Sequence, residues 1–403
     1  MIYPDEISDP KVRSWYLSHK KPQDRKWLIP IYAGNSGDSK YLQWIKREII
    51  KDEEAVVLAT SEKSKEIANQ IFTNSHIELY LDAAINENLL NILKKHEINA
   101  FFSHATFHRP IYLLRKLFLQ EPWFSSILAI WHEGGFLRKS ASKNKCFQLD
   151  WMGWNAISSL AVVDWNKVPD LTPIEIDFTN NFMKQFQYEK QKEAKLEIIT
   201  SKKNLQDICT TTKPIVFIPL QVYSDSVIQN FVPQTMRDLT RLFQFAESRD
   251  DCFFVFKEHP KQLSEAPHLQ LNKTGKNYIY MDSNCYETLS IATNADIVLA
   301  LNSTVGFESL FWTPVVTIGR SGYSTPFVSY MFKDFSPSLP MKPKENILKF
   351  LHYAITKFHY STGVNANTHQ EWFNFLSIYR LSQKHLIQRQ NRLLEFFPTH
   401  LRH

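Results

Sequence analysis

Three groups of polar residues in the second half of the chain have the right types and spacing to bind an anionic ligand. The first group, Gln221 and Asp225, follows the apolar run Ile215–Leu220. The second group, Lys257 and His259, follows another apolar run, and residues two apart face the same side of an extended chain. A lysine next to a histidine suits a phosphate. Polar side chains such as Asp225 at the carboxyl end of a buried strand point into the crevice where α/β sheets bind ligands.

The third group, Asn302, Ser303 and Thr304, consists of residues that favour the N-cap of a helix. A helix N-terminus offers unpaired N–H groups and a partial positive charge, both of which attract anions. Glu308, one turn further on, could accept hydrogen bonds from ribose hydroxyls. Together the three groups predict a nucleotide-sugar site that uses no metal.

Each group also has a purely structural interpretation, which the local sequence leaves open. Asp225 could simply cap the helix that follows it. The lysine and histidine could belong to an ordinary surface loop. Ser303 or Thr304 could cap the next helix, with Glu308 as the partner in a capping box.

The first half of the chain offers a second acidic candidate, Glu133. It follows the apolar run Ser126–Trp131 within the segment His132–Arg138, which contains two adjacent glycines. Paired glycines allow backbone to approach a ligand closely, and a carboxylate at a strand end is well placed for base catalysis. A plain turn with a surface salt bridge is the alternative. The same half contains four further candidates, for binding a second substrate, the acceptor. They are Arg109, Arg138, Asp150 and Asn155.

The candidate residues can form one site only if the fold brings the ends of several strands together. The hydrophobic pattern predicts such a fold. Apolar runs of strand length alternate with segments of helical periodicity in both halves. The carboxyl ends of strands in a doubly wound sheet meet at one edge, where ligands bind. We therefore predict an α/β fold with two Rossmann-like domains facing each other across a cleft. The strands are predicted at 27–32, 54–59, 76–81, 100–103, 126–131, 215–220, 252–256, 278–280, 295–301 and 315–319.

The predicted domain boundaries follow from a change of character between the two alternating series. Residues 1–170 form the first domain and 213–365 the second. Between them, 171–212 is predicted to be a helical linker whose charge run Glu189–Lys195 is a solvated helix face. Residues 366–403 are predicted to form a helical tail that closes or crosses back over the cleft.

Composition excludes several classes of protein. With 403 residues, two domains are expected. The net charge of +6 is modest and diffuse, and no nucleic-acid-binding motif is present, so an anionic substrate or membrane surface is favoured over nucleic acid. Only 10 glycines occur and no glycine-rich phosphate loop is found.

The 4 cysteines lack metal-ligand spacing, and neither a signal peptide nor a membrane span is predicted, so we expect a cytoplasmic location.

Several motifs together resemble those of the bacterial capsule polysaccharide synthesis family. In the second half these are LQVYSDSVI, FKEHP, NSTVGFESL and TPVVTIG, and in the first half HRP at 108–110, HEGGFLR at 132–138 and LDWMGWNAISSL at 149–160. The resemblance spans roughly residues 28–325. It is nearest to the KpsS/LipB-type retaining β-Kdo transferases and more distant from the KpsC type.

The resemblance implies a GT-B-like glycosyltransferase that uses CMP-Kdo as donor, without metal or cofactor. By position, Asp225 matches the nucleophile and Glu133 the acid/base. Lys257 and His259 match residues that hold CMP. The remaining donor-binding positions are Gln221, Asn302, Ser303, Thr304 and Glu308.

The implied partners are a lysophospholipid or Kdo-terminated glycolipid acceptor, the inner face of the cytoplasmic membrane and capsule assembly proteins. Two other functions remain open on the sequence. One is a GT-B transferase that uses another nucleotide sugar. The other is a non-catalytic assembly protein that keeps the fold as a scaffold, although a scaffold would need none of the charged positions named above.

Overall fold

A computed structural model of the chain contains two β-sheets. One helix joins two strands of the first sheet, and the other helices precede or cover the second sheet. Helices and strands are numbered in chain order within the described residues. The described residues are 26–31, 42–43, 46, 54–59, 61–73, 76–79, 91, 94–98, 100–104, 128–137, 147–150, 158–223, 225–237, 239–261 and 274–360.

The first sheet has seven strands in the order β14-β6-β5-β4-β1-β2-β3. Strands β1 to β5 are parallel, and β6 and β14 are antiparallel additions at one edge. Helix α1, Glu62–Ile71, connects β2 to β3. The strands are β1 Lys26–Ile31, β2 Glu54–Ala59, β3 His76–Leu79, β4 Ala100–His104, β5 Leu128–Gly134, β6 Phe147–Asp150 and β14 His359–Tyr360.

The second sheet also has seven strands, in the order β13-β12-β11-β7-β8-β10-β9. All its pairs are parallel except β9 with β10. The chain starts at β7 and then builds outwards on both sides, so the topological switch point lies between β7 and β11, where α/β sheets bind ligands. The strands are β7 Ile215–Pro219, β8 Phe253–Lys257, β9 Thr274–Gly275, β10 Tyr278–Met281, β11 Ile297–Ala300, β12 Val315–Thr317 and β13 Tyr330–Met331.

The central strands of the second sheet are buried on both faces. Ile215 and Phe217 point into one hydrophobic cluster, whereas Val216 and Ile218 point into another. This alternation is the period of two expected of a strand, and burial of both sides explains why the sequence is apolar throughout β7. The helices that cover this sheet are α4 Ser226–Phe231, α5 Gln234–Arg237, α6 Leu239–Glu247, α7 Thr288–Asn294, α8 Thr304–Ser309 and α9 Lys344–Tyr353.

Two helices precede β7. The long helix α2, Pro173–Glu193, begins with a capping box between Thr172 and Glu175 and has a proline in its first turn. The short helix α3, Lys202–Cys209, follows it. Helix α2 packs against α9 and α7, so it lies on the second sheet's side of the molecule.

The chain returns to the first sheet after α9. A wider π-helical turn over Ala354–Phe358 leads into β14, which pairs antiparallel with β6. Residues 359–360, which were predicted within the second domain, therefore complete the first sheet. The predicted tail, 366–403, lies outside the described residues.

Phe136, just after β5, links the two halves of the molecule. Its ring stacks on Phe307 of α8 with centroids 4.9 Å apart, and it also contacts Phe358 and Tyr323. Its backbone N–H donates to His359 Nε2 at 3.0 Å. The strand that carries Glu133 is thus fixed against the helix that carries Glu308.

The predicted strands are close to the observed ones, with three instructive differences. Strand β5 extends to Gly134, so Glu133 lies within a strand rather than in the loop after it. Its backbone pairs with Gln148 of β6, a strand that the sequence pattern did not predict. The short edge strands β9, β13 and β14 were also missed, because each has only two residues and no alternation to read.

No helix in the described part of the chain is long and apolar enough to cross a membrane.

Candidate functional site

A pocket of roughly 300 Å³ opens at the carboxyl edge of the second sheet, within the range typical of small-molecule sites. Its walls come from the ends of β7 and β8, the start of α8, and the end of α2 with the residues that follow it. Five of the predicted donor-binding residues line it. They are Lys257, His259, Ser303, Thr304 and Glu308.

Lys257 ends strand β8 and is almost fully buried. Its Nζ donates to the carbonyl oxygen of Ser283 at 2.9 Å. Burial lowers the pKa of Lys257, and the nearby Cys285, Glu287 and Glu258 oppose part of that shift. An anion in the pocket would stabilise this poorly solvated ammonium group.

The ring of His259 is held by a hydrogen bond to the backbone. Its Nδ1 accepts a hydrogen bond from the backbone N–H of Lys261 at 3.1 Å. In the neutral ring the proton then lies on Nε2, which leaves that atom as a donor. Lys257 and His259 line the same pocket, as expected, but so do Glu258 and Pro260, so the alternation of an extended chain does not by itself explain their placement.

Two acidic residues of the pocket wall are bound by hydrogen-bond donors of the protein. Glu258 accepts from Tyr280 Oη at 3.1 Å and from the backbone N–H of Ser283 at 3.3 Å. Glu287 caps α7 and accepts from the backbone N–H groups of Leu289 and Ser290. These contacts keep two carboxylates of the wall engaged with the protein itself.

Ser303 caps the start of α8, which is one of the interpretations that the sequence left open. Ser303 is the N-cap, and its hydroxyl accepts from the backbone N–H of Val305 at 3.2 Å. Gly306 lets this helix lie close to the sheet, because an added Cβ would come within 2.9 Å of Ala300 Cβ. The helix has only 6 residues, so cationic side chains must carry most of the attraction for an anion.

The capping-box interpretation of Glu308 is wrong. Glu308 lies beyond the third helical position, is fully buried, and pairs with Lys190 near the end of α2. The predicted solvated face for 189–195 is correspondingly wrong at Lys190, whose side chain is 15% exposed. A buried carboxylate needs a partner, and α2 supplies it.

Gln221, Asp225 and Asn302 are not among the described residues that line the pocket. They are linked to one another by hydrogen bonds, partly through the backbone of Val227. Gln221 Oε1 accepts from the backbone N–H of Asn302, and the Asn302 amide donates to the carbonyl of Val227. Asp225 caps α4 by accepting from the Val227 N–H at 2.9 Å. Asp225 therefore serves as a helix cap, and its role as nucleophile stays a prediction.

The residues predicted in the first domain are placed only in part. Glu133 lies in β5 and Asp150 at the end of β6. Arg109, Arg138 and Asn155 lie outside the described residues.

The sequence interpretation missed Lys190, Lys195, Glu258 and Glu287, all of which line the pocket. Glu258 stands between the two predicted cations, so its neighbours were the available signal. Lys190 had no such signal, because its partner Glu308 is 118 positions away.

Within the described ranges, no group of three or more histidine, cysteine, aspartate or glutamate side chains is arranged to hold a metal ion. The cysteines described there, Cys209, Cys252 and Cys285, are free thiols. Burial raises the pKa of Cys209 and of Cys252 to about 12, so these two thiols are unreactive near neutral pH.

The two Rossmann-like sheets, with a pocket at the carboxyl edge of the second, define a GT-B-like α/β protein. This fold is shared with two solved structures of the KpsC protein of Thermosulfurimonas dismutans. The one titled a beta Kdo 2,7 transferase matches with a TM-score of 0.54 and 16% identity, over 89% of this chain and 100% of that chain. The one titled a beta Kdo 2,4 transferase matches with a TM-score of 0.50 and 12% identity, over 80% and 89%. The predicted fold class is confirmed.

Residues 176–361 match the family model of capsule polysaccharide biosynthesis proteins. The match includes β7, β8 and α8 with their motifs, so the resemblance stated from those motifs is confirmed at the level of the family.

Two curated relatives match shorter segments. The capsule polysaccharide modification protein LipA of Neisseria meningitidis serogroup B is 27% identical over 165 residues, 40% of this chain and 22% of LipA. Protein FixF of Sinorhizobium fredii is 31% identical over 119 residues, 27% of either chain. The matches thus span about a quarter of the length of these relatives.

Proposed function

We propose that the protein is a glycosyltransferase of capsule polysaccharide biosynthesis that moves Kdo from CMP-Kdo to a lipid or oligo-Kdo acceptor. The observation that carries this proposal is the pocket at the switch point of the second sheet, where Lys257 and His259 face the start of α8. Two basic side chains beside backbone N–H groups suit the phosphate of a nucleotide sugar. The family of residues 176–361 and the GT-B-like fold support the same conclusion.

The proposed reaction is a double displacement with retention of configuration, as in retaining glycosidases. An Asp225 oxygen attacks the anomeric carbon of Kdo, and CMP leaves with the bonding electron pair. The acceptor hydroxyl then attacks the same carbon, the Asp225 carboxylate departs, and Glu133 takes the hydroxyl proton. Asp225 follows the pocket wall formed by Pro219 and Leu220 by a few residues, which supports its place beside the donor.

We propose that no metal is needed, because Lys257 and His259 would neutralise the leaving phosphate. We further propose that the protein acts in the cytoplasm at the inner membrane face, where a basic chain of net charge +6 would be attracted to anionic lipids.

The direct test is to incubate the full chain with CMP-Kdo and either a lysophosphatidylglycerol or a Kdo-terminated glycolipid. The proposal predicts CMP release and a mass increase of one or more Kdo residues on one acceptor, with activity unchanged by EDTA. NMR of the product should show the anomeric configuration of the donor. If UDP-sugars are consumed and CMP-Kdo is not, the protein is a transferase with a different donor. No transfer from any nucleotide sugar would favour the scaffold.

A further inference from the structure

The linker helix α2 contributes a cation to the pocket of the second sheet. Lys190 lies near the end of this helix, and its Nζ donates to Glu308 Oε2 on α8. Both side chains line the pocket, as does Lys195 just beyond the helix. The pocket is therefore closed on one side by a segment that precedes the second sheet.

An ion pair at this position carries a desolvation cost. Glu308 is 1% exposed and the side chain of Lys190 is 15% exposed, so both charges have lost most of their water. Replacing such a pair by apolar residues often leaves a protein equally stable. A carboxylate in a pocket that attracts anions would also repel the ligand unless its charge is neutralised.

The ammonium group of Lys190 keeps capacity for a ligand. An ammonium has three N–H donors, and within the described part of the chain Glu308 is the acceptor found for Lys190. The group also lies 5.5 Å from the ring centroid of Phe186, a cation–π distance that restrains its position. Glu308 thus fixes one donor and leaves the others for an anion.

We propose that Lys190 binds an anionic oxygen of the donor, and that Glu308 is the residue that positions it. This inference rests on the proposed function, and it extends the donor site from the second sheet to the linker helix. CMP-Kdo carries two anionic groups, the phosphate and the sugar carboxylate, and Lys190 contacts one of them. The pocket then selects nucleotide-linked sugars by charge on two sides, with Lys257 and His259 on the other.

Calorimetry on the full chain with Lys190→Met tests the inference. Lys192→Met is the matched control, since Lys192 lies two positions further along α2, next to Tyr188, and is not among the described lining residues. The ligands are cytidine, CMP, CMP-Kdo and inorganic phosphate. We expect Lys190→Met to weaken CMP-Kdo binding at least tenfold, cytidine binding to stay unchanged, and Lys192→Met to behave as the wild type.

The ligand series identifies the anion. If Lys190→Met weakens CMP and CMP-Kdo equally, Lys190 binds the phosphate. If it weakens CMP-Kdo alone, Lys190 binds the carboxylate. The double variant Lys190→Met/Glu308→Gln, which leaves no buried unpaired charge, should show the same loss, and Lys190→Arg should recover part of it.

Two further outcomes separate this inference from the proposed function. Wild-type affinity for CMP-Kdo in both Lys190→Met and the double variant would overturn the inference while the proposed donor stands. Phosphate binding that depends on Lys190, in a protein that binds neither CMP nor CMP-Kdo, would keep the anion site and contradict the proposed donor. If the wild type binds none of the ligands, both are wrong.

Discussion

At the scale of single residues, Asp225 combines a structural contact with a proposed chemical role. Its side chain caps α4 through the Val227 N–H, and a cap needs only an acceptor oxygen. A nucleophile needs a carboxylate. The two roles can therefore be separated, because asparagine caps helices about as well as aspartate.

We predict that Asp225→Asn keeps the stability of the wild type, whereas Asp225→Ala loses about 1 kcal/mol of unfolding free energy with the cap. Both should lose turnover by roughly 10⁴-fold, in line with the removal of other nucleophiles. Urea unfolding and the CMP-release assay measure the two effects. An Asp225→Asn variant with near-normal turnover would show that Asp225 is a helix cap alone.

Lys257 predicts a particular pH dependence. Its pKa is lowered by burial, so its ammonium loses its proton at a lower pH than an exposed lysine does. Affinity for CMP should fall as the pH rises through this lowered pKa, because only the ammonium attracts phosphate. Calorimetry between about pH 7 and 10.5 follows this loss, around the ordinary lysine range. The same loss in Lys257→Met would exclude Lys257 as its cause.

The stability contribution of Lys257 should change in the opposite direction. A lowered pKa means that the unfolded chain binds more protons than the folded one, so the unfolding free energy rises with pH in this window. The penalty of the buried charge is full below the folded pKa and disappears as the pH passes the unfolded value.

The position of a single residue at the edge of the sheet could be predicted where that residue directly follows a buried run. Lys257 and His259 follow a run too apolar to be anything but buried, so their place at the edge of the sheet could be inferred. Lys190 could not be found, because a lysine within a charge run gives no sign that it meets a carboxylate on a distant helix.

At the scale of elements, the pair between Lys190 and Glu308 joins α2 to α8. We predict that Lys190→Met lowers the unfolding free energy by about 3 kcal/mol, since it leaves a buried carboxylate without its counter-ion. The double variant Lys190→Met/Glu308→Gln should recover most of this loss. A double-mutant cycle in urea measures the coupling. Additive losses would mean that the two side chains do not stabilise each other.

Strands that form a continuous apolar run were predicted within a few residues, as for β2 and β7. Strand β6 was missed because its segment, rich in aromatic and polar residues, resembled a loop. The two-residue strands β13 and β14 depend on partners far away in the chain, and no local pattern encodes them.

At the scale of the whole molecule, Phe136 of the first half packs into the second. It contacts Phe307 of α8 and is fully buried. Because β5 also carries Glu133, this contact fixes the strand of the proposed base against α8.

We predict that Phe136→Ala lowers the unfolding free energy by about 3–5 kcal/mol through the cavity it leaves. Turnover should fall more than CMP affinity, since the pocket belongs to the second sheet. Phe136→Leu is the control, and it should lose less unfolding free energy and less turnover than Phe136→Ala. Equal losses of turnover and CMP affinity would show that Phe136 supports the donor pocket itself rather than the placement of Glu133.

The two-domain architecture was predictable because each half repeats the alternation of strand and helix. The return of the chain to the first sheet through β14 was not. It is fixed by the pairing of β14 with β6 and by the hydrogen bond between Phe136 and His359, contacts that form only when both domains are in place.

A crystal structure of the protein with CMP bound would show whether the pocket of the second sheet is the donor site. We expect the phosphate within hydrogen-bond distance of Lys257 Nζ and His259 Nε2, in the pocket at the carboxyl edge of the second sheet, with the cytidine close to α8. Density for CMP at any other place, with this pocket unchanged, would contradict this expectation.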